Sequence, residues 1–127
     1  MLNNEGQAAS SQIMLSPVSA ANTAAATSGW IDVRAMVGDV VVVVQTGAVT
    51  GTIAWTLEDA NTSGGGASAG ITPNEGAFAT ATANQVQRRT INANAHRGWV
   101  RCVGTIVTGP SLVAASCHSR PKKTYAD

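Results

Sequence analysis

Apolar residues in this chain recur at every second position, and nowhere do they hold the three-and-four spacing of a helix for long. That property confines the chain to folds built from strands. In Trp30-Ile31-Asp32-Val33-Arg34-Ala35-Met36-Val37, Ile31, Val33, Ala35 and Val37 share one face, and Asp32 and Arg34 take the other. After Gly38-Asp39, residues 40–44 are all valine, the run expected of a strand covered on both faces. Residues 52–58 alternate again, with Ile53, Trp55 and Leu57 together. Residues 77–82 and 85–91 read as weaker strands, 98–107 as a strong one, and 112–118 as the last, after a turn at Thr108-Gly109-Pro110-Ser111. Residues 61–70, rich in Gly, Ser and Ala, read as a loop. About seven or eight short strands separated by turns predict an all-β, antiparallel β-sandwich, jelly-roll-like, over residues 28–118. The three tryptophans, Trp30, Trp55 and Trp99, are expected to anchor its core.

With 127 residues the chain is one domain's worth. Only 12% of it is charged, which leaves few groups for catalysis and excludes a charge-rich disordered protein or a coiled coil. A net charge of +1 predicts no nucleic-acid and no membrane partner. Six of the seven acids precede residue 76, where Arg34 is the only base, and the other bases follow. Either the two halves interleave and cancel across neighbouring strands, or they form opposite faces that steer subunit contact. The Ala-rich stretch 8–26 has no base before it and no unbroken apolar core, so it does not read as a secretory leader. The chain is expected to be soluble and made in a cytoplasm.

Residues 1–27 are mostly Ala, Ser, Asn and Gln around the apolar island Ile13, Met14 and Leu15. Such a segment cannot bury enough apolar surface to fold alone. It is expected to be an extended arm that docks on a neighbouring subunit through those three residues. The alternative is a short strand folded back on its own sandwich. On the first reading, a chain starting at Ser28 stays folded and loses only assembly. Residues 119–127 form a basic tail in which Arg120, Lys122 and Lys123 are candidate subunit or shell contacts.

The remaining motifs are weak. Gly66-Ala67-Ser68-Ala69-Gly70 fits the G-x-S-x-G pattern, but that motif needs a helix after the serine, and a strand is expected here. Gly64-Gly65-Gly66 has no helix to complete a phosphate cradle. His96, His118, Cys102 and Cys117 lack the close pairing of zinc ligands. Neither a cofactor nor a metal is expected, and no catalytic residue is assigned. If a hairpin centres on Gly109-Pro110, Cys102 and Cys117 oppose one another at about 4.5–5.5 Å between Cα atoms, within disulfide reach. Two buried thiols are expected rather than a bond, given a reducing cytoplasm.

Ser28-Gly29-Trp30-Ile31-Asp32-Val33, then Gly38-Asp39 and the valine run to Gln45-Thr46-Gly47, resemble small virion proteins of tailed bacteriophages. So does Arg97-Gly98-Trp99-Val100-Arg101, through Gly104-Thr105-Ile106-Val107-Thr108-Gly109-Pro110, to the Arg120-Pro121-Lys122-Lys123 end. The family is that of head cement, or decoration, subunits, and the resemblance covers residues 28–123. It implies a jelly-roll-like sandwich, commonly a homotrimer, on the capsid exterior, touching the major capsid protein and bridging capsomers. It implies no catalytic residues. A tail or head-fibre component would share the composition. A carbohydrate- or peptide-binding sandwich module is the reading from another class, and it requires a patch of exposed aromatics.

Overall fold

A computed structural model describes residues 10–34 and 36–121 of the chain. Eight strands carry it: β1 (Ser10–Ala20), β2 (Ile31–Asp32), β3 (Met36–Val49), β4 (Thr52–Ala60), β5 (Ala69–Ile71), β6 (Gln85–Asn92), β7 (Trp99–Val107) and β8 (Ser111–Pro121). One 3-10 turn, Ala93–Ala95, leads from β6 towards β7. The first sheet runs β1-β8-β3-β6 and the second β2-β7-β4-β5, with every pairing antiparallel. The first strand pairs with the last, the second with the seventh, the third with the sixth and the fourth with the fifth. A long hairpin rolled on itself produces that nesting, and it is the jelly-roll arrangement of an all-β sandwich.

Period-two alternation builds the core from both sheets. Val40, Val42 and Val44 point inward from β3, and Ile53, Trp55 and Leu57 face them from β4. Trp55 ties the layers further, its indole N–H donating to the Thr46 hydroxyl at 3.5 Å. Among the described residues, nothing fully covers the outer side of the valine run. Val41 and Val43 lie half-buried on the outer face of the first sheet, because β3 sits in its interior with only one side against the core.

The expected arm is, over its described part, a strand of its own sandwich. β1 pairs with β8 from Ser10↔Ser119 to Ala20↔Ser111, with register shifts after Ile13 and Leu15. Residues 21–28 then turn across to the second sheet. There the Ala26 carbonyl accepts a hydrogen bond from the Gly104 N–H. Ser28 donates its N–H to the Cys102 carbonyl and accepts the Cys102 N–H at its hydroxyl. A segment poor in large apolar groups is ordered here by hydrogen bonding to backbone, with Met14, Ala20 and Ala26 as small core plugs.

Two other expectations change. Residues 77–82 form no strand; only Ala81 bridges to Ile53. The segment instead closes the outer edge of β6, where the Gln87 side-chain amide accepts from the Ala79 N–H at 2.8 Å and donates to the Ala79 carbonyl at 2.9 Å. A side chain there does the work of a neighbouring strand. Ala69 and Gly70, read as loop, pair with Asp59 and Glu58 in β5. Gly51 shows why the β3–β4 turn needs glycine, since a Cβ there would lie 2.1 Å from the Val107 carbonyl oxygen.

The two cysteines are not cross-strand neighbours, because β7 and β8 belong to different sheets and the chain crosses between layers at Gly109-Pro110. Cys102 and Cys117 enter the core from opposite walls, as free and buried thiols.

Candidate functional site

The chemistry-bearing side chains gather in three places, and in each they hold the fold together. On the outer face of the second sheet, β2 and β7 set two like segments side by side, with Ile31 opposite Val100 and Asp32 opposite Trp99. Each segment follows a Gly-Trp pair and supplies an arginine that stacks on the other's tryptophan. Arg34 lies 5.1 Å from the Trp99 ring and Arg101 4.5 Å from that of Trp30. Both arginines are also paired with carboxylates. Arg34 donates through Nε and Nη2 to Asp32 at 2.9 and 2.8 Å, and Arg101 through the same atoms to Glu58 at 3.1 and 2.9 Å. Hydrogen bonding from Arg34 holds the Asp32 carboxyl below its ordinary range. So two of the three tryptophans are half-buried surface residues rather than core anchors, and only Trp55 is enclosed, at 2% exposure. Both Arg–Trp stacks depend on antiparallel pairing of segments nearly 70 residues apart, which periodicity does not reveal. Arg101→Ala should cost about 1–2 kcal/mol in urea unfolding, since it removes a cation–π contact and a partly buried ion pair together. The exposed Arg34→Ala should cost clearly less.

The second cluster closes one end of the sandwich. Asp59, 6% exposed, accepts the Arg97 N–H at 3.2 Å and faces the Arg97 guanidinium at 3.2 Å and the His96 Nδ1 at 3.7 Å. Arg97 also donates to the Ala67 carbonyl, which fastens the glycine-rich loop. Glu58 and Asp59, adjacent on β4, point to opposite sides, one to Arg101 and one to this end. The acids of the first half and the bases of the second therefore cancel across strands at these two sites. Ser68 is followed by β5 and not by a helix, so the G-x-S-x-G pattern lacks the turn that would raise its hydroxyl.

The third group lies on the outer face of the first sheet. His118 is held at both ring nitrogens, Nδ1 by the Ser11 hydroxyl at 2.8 Å and Nε2 by that of Ser116 at 3.1 Å. A serine beside an oriented imidazole is the beginning of a nucleophile, but β8 is an inner strand with its backbone committed to β1 and β3. The trio fastens β1 to β8. Among the described residues no three His, Cys, Asp or Glu side chains group to hold a metal ion.

Of the expected contact residues, Ile13 stands on the outer face at 67% exposure, whereas Met14 turns into the core and Leu15 packs against it. Those two serve the protein's own sandwich: Met14 faces in by alternation with Ile13, and the register shift after Ile13 turns Leu15 in as well. Arg120 pairs through its backbone with Val37, and Lys122 and Lys123 lie outside the described residues. What the sequence reading missed is the rest of that outer face. Val86 stands 62% exposed opposite Gln45 and Leu112 49% exposed against Gly47, and a shallow hollow of about 380 Å³ lies beside Leu112, lined also by Pro17, Val18 and Gln45. Outward positions at every second residue of β3, β6 and β8 carry the signal in the sequence, once the pairing is known.

No protein-family model matches this chain, and no curated protein matches it at significant similarity.

Proposed function

We propose that this chain is a structural protein of a tailed-bacteriophage virion, a cement or decoration subunit. It binds the outer surface of the capsid, touches the major capsid protein, stabilises contacts between capsomers and associates with copies of itself, as a homotrimer in the form the resemblance implies. One observation carries the reading. The charged and aromatic side chains described above are spent on holding the sandwich together, while the outer face of the first sheet exposes Ile13, Val86 and Leu112 beside Gln45, Ser116 and His118. A protein of that design works by surface contact and not by turnover. The jelly roll, a fold also used by viral capsid domains and by lectins, is compatible with the role without deciding it.

The lectin-like alternative gains something from Trp30 and Trp99, which share one face. Sugar stacking needs a free ring face, however, and here Arg101 and Arg34 lie over the rings while Gly65 packs close to Trp30. A tail or head-fibre location is the other virion reading and differs only in the partner. The test is co-sedimentation with purified capsids of the phage that encodes the chain. Saturable binding and a raised capsid disruption temperature are expected. Absence of binding to intact shells would overturn the cement assignment, and binding to tails alone would transfer it there.

A further inference from the structure

We infer that a cavity beneath the segment joining β5 to β6 takes a small, uncharged ring compound bearing one carbonyl and one N–H group, of the lactam or ring-carboxamide class. The inference goes beyond the proposed function and does not depend on it. The cavity has a volume of about 180 Å³ and is walled by Trp55 and Leu57 of β4, Ile71 of β5, and Pro73, Ala77 and Phe78 of the joining segment. An apolar cavity of about 150 Å³ admits a single aromatic ring. Thr72 and Ala77, both exposed, stand at its mouth. The roof is fastened to β6 and does not close on the space. Asn74 donates its N–H to the Thr90 carbonyl at 2.8 Å, and Thr90 donates its own to the Glu75 carboxylate at 2.8 Å. Arg89 donates to the Ala77 carbonyl at 3.2 Å while stacking on Phe78.

The polar part of the site is a gap in the hydrogen bonding along β4. Ile53 exchanges both backbone hydrogen bonds with Ala81, at 3.0 and 2.9 Å. Alternation along an antiparallel strand then turns the backbone groups of Trp55 and Leu57 to the same side, away from β7. On β7, Cys102 and Gly104 likewise turn away from β4 and bond Ser28 and Ala26. Leu57 pairs with Ile71, and one step further in that register Trp55 would meet Pro73. Proline has no N–H to give, and β5 ends at Ile71. Trp55, only 2% exposed, thus carries a backbone N–H and C=O with no hydrogen-bond partner among the described residues, on the side of the cavity. Buried backbone groups of that kind require a partner. A carbonyl and an N–H on one ring would supply it while the ring fills the apolar space, the division of labour usual in small-molecule sites. A charged ligand would find no counter-ion, since no lining residue is ionisable.

The experiment is titration of the isotope-labelled full chain with benzamide, read by NMR at the backbone amide of Trp55. Benzamide should shift that amide downfield and saturably, in the millimolar range expected for so small a ligand. Acetophenone matches benzamide in size but carries a methyl in place of the N–H donor. It leaves the Trp55 carbonyl unpaired and should bind about fivefold more weakly. Ala77→Trp puts a large side chain at the mouth; it should keep the wild-type circular-dichroism spectrum, because Ala77 is exposed, and weaken benzamide binding about tenfold. No saturable shift with benzamide, the gap being filled by water alone, overturns the inference. So does acetophenone binding as tightly as benzamide, or a folded Ala77→Trp chain that binds benzamide undiminished. Shell binding is read separately by co-sedimentation, so loss of one finding leaves the other standing.

Discussion

A chain that begins at Ser28 should fail to fold as a soluble domain, unlike the full chain. The shorter chain lacks all of β1, and with it eight paired positions along β8. β8 would then become a long open edge, a template for aggregation. Met14, Ala20 and Ala26 would leave the core together, and the Gly104 N–H would lose its acceptor at Ala26. Deleting a buried methionine side chain alone costs about 2–5 kcal/mol, against a total stability of about 5–15 kcal/mol for a domain of this kind. The readouts are soluble yield, size-exclusion profile and the thermal melt by circular dichroism. If the chain beginning at Ser28 melts cooperatively within a few degrees of the full chain, β1 is dispensable and the docking-arm view is restored.

Strand type, sandwich class and the identity of most inward residues were legible in the period-two runs, because burial on one face writes itself into alternate positions. β1 was not, since its pairing depends on backbone groups and two register shifts break its alternation. Sequence pattern reports side-chain burial, and a strand held mainly by its N–H and C=O groups leaves a faint trace. The valine run shows the opposite failure. Its alternation was invisible because both faces carry valine, and the outer ones, Val41 and Val43, read as core. Trp30 and Trp99 were misplaced because size and apolarity suggest burial, while each is covered by an arginine from a segment nearly 70 residues away. The cysteine pairing failed on topology alone. Counting from a turn assumes that flanking strands stay in one sheet, and at Gly109-Pro110 the chain changes layer.

That crossing gives the second large effect, a loss of stability in alkali. Burial pushes the Cys102 thiol up from 9.0 to about 11, with Cys117 adding to the rise and hydrogen bonding from Ser28 opposing it. Desolvation lifts Cys117 to about 11 as well, against a hydrogen bond from the Gln12 backbone. A thiol with a higher pKa in the folded state keeps its proton there after the unfolded chain has lost it. Below about pH 9 both states are protonated and stability is complete. From pH 9 to 11 only the unfolded chain ionises, so stability falls by up to about 2–3 kcal/mol for each thiol. Urea unfolding between about pH 8 and 11 should show that decline, and Cys102→Ala/Cys117→Ala should start lower and stay much flatter. Neither thiol should react with iodoacetamide in the native chain at neutral pH, and both should react once it is denatured without reductant. A double variant that loses stability in alkali as steeply as the wild type would show that the two walls of the core do not hold their thiols away from water.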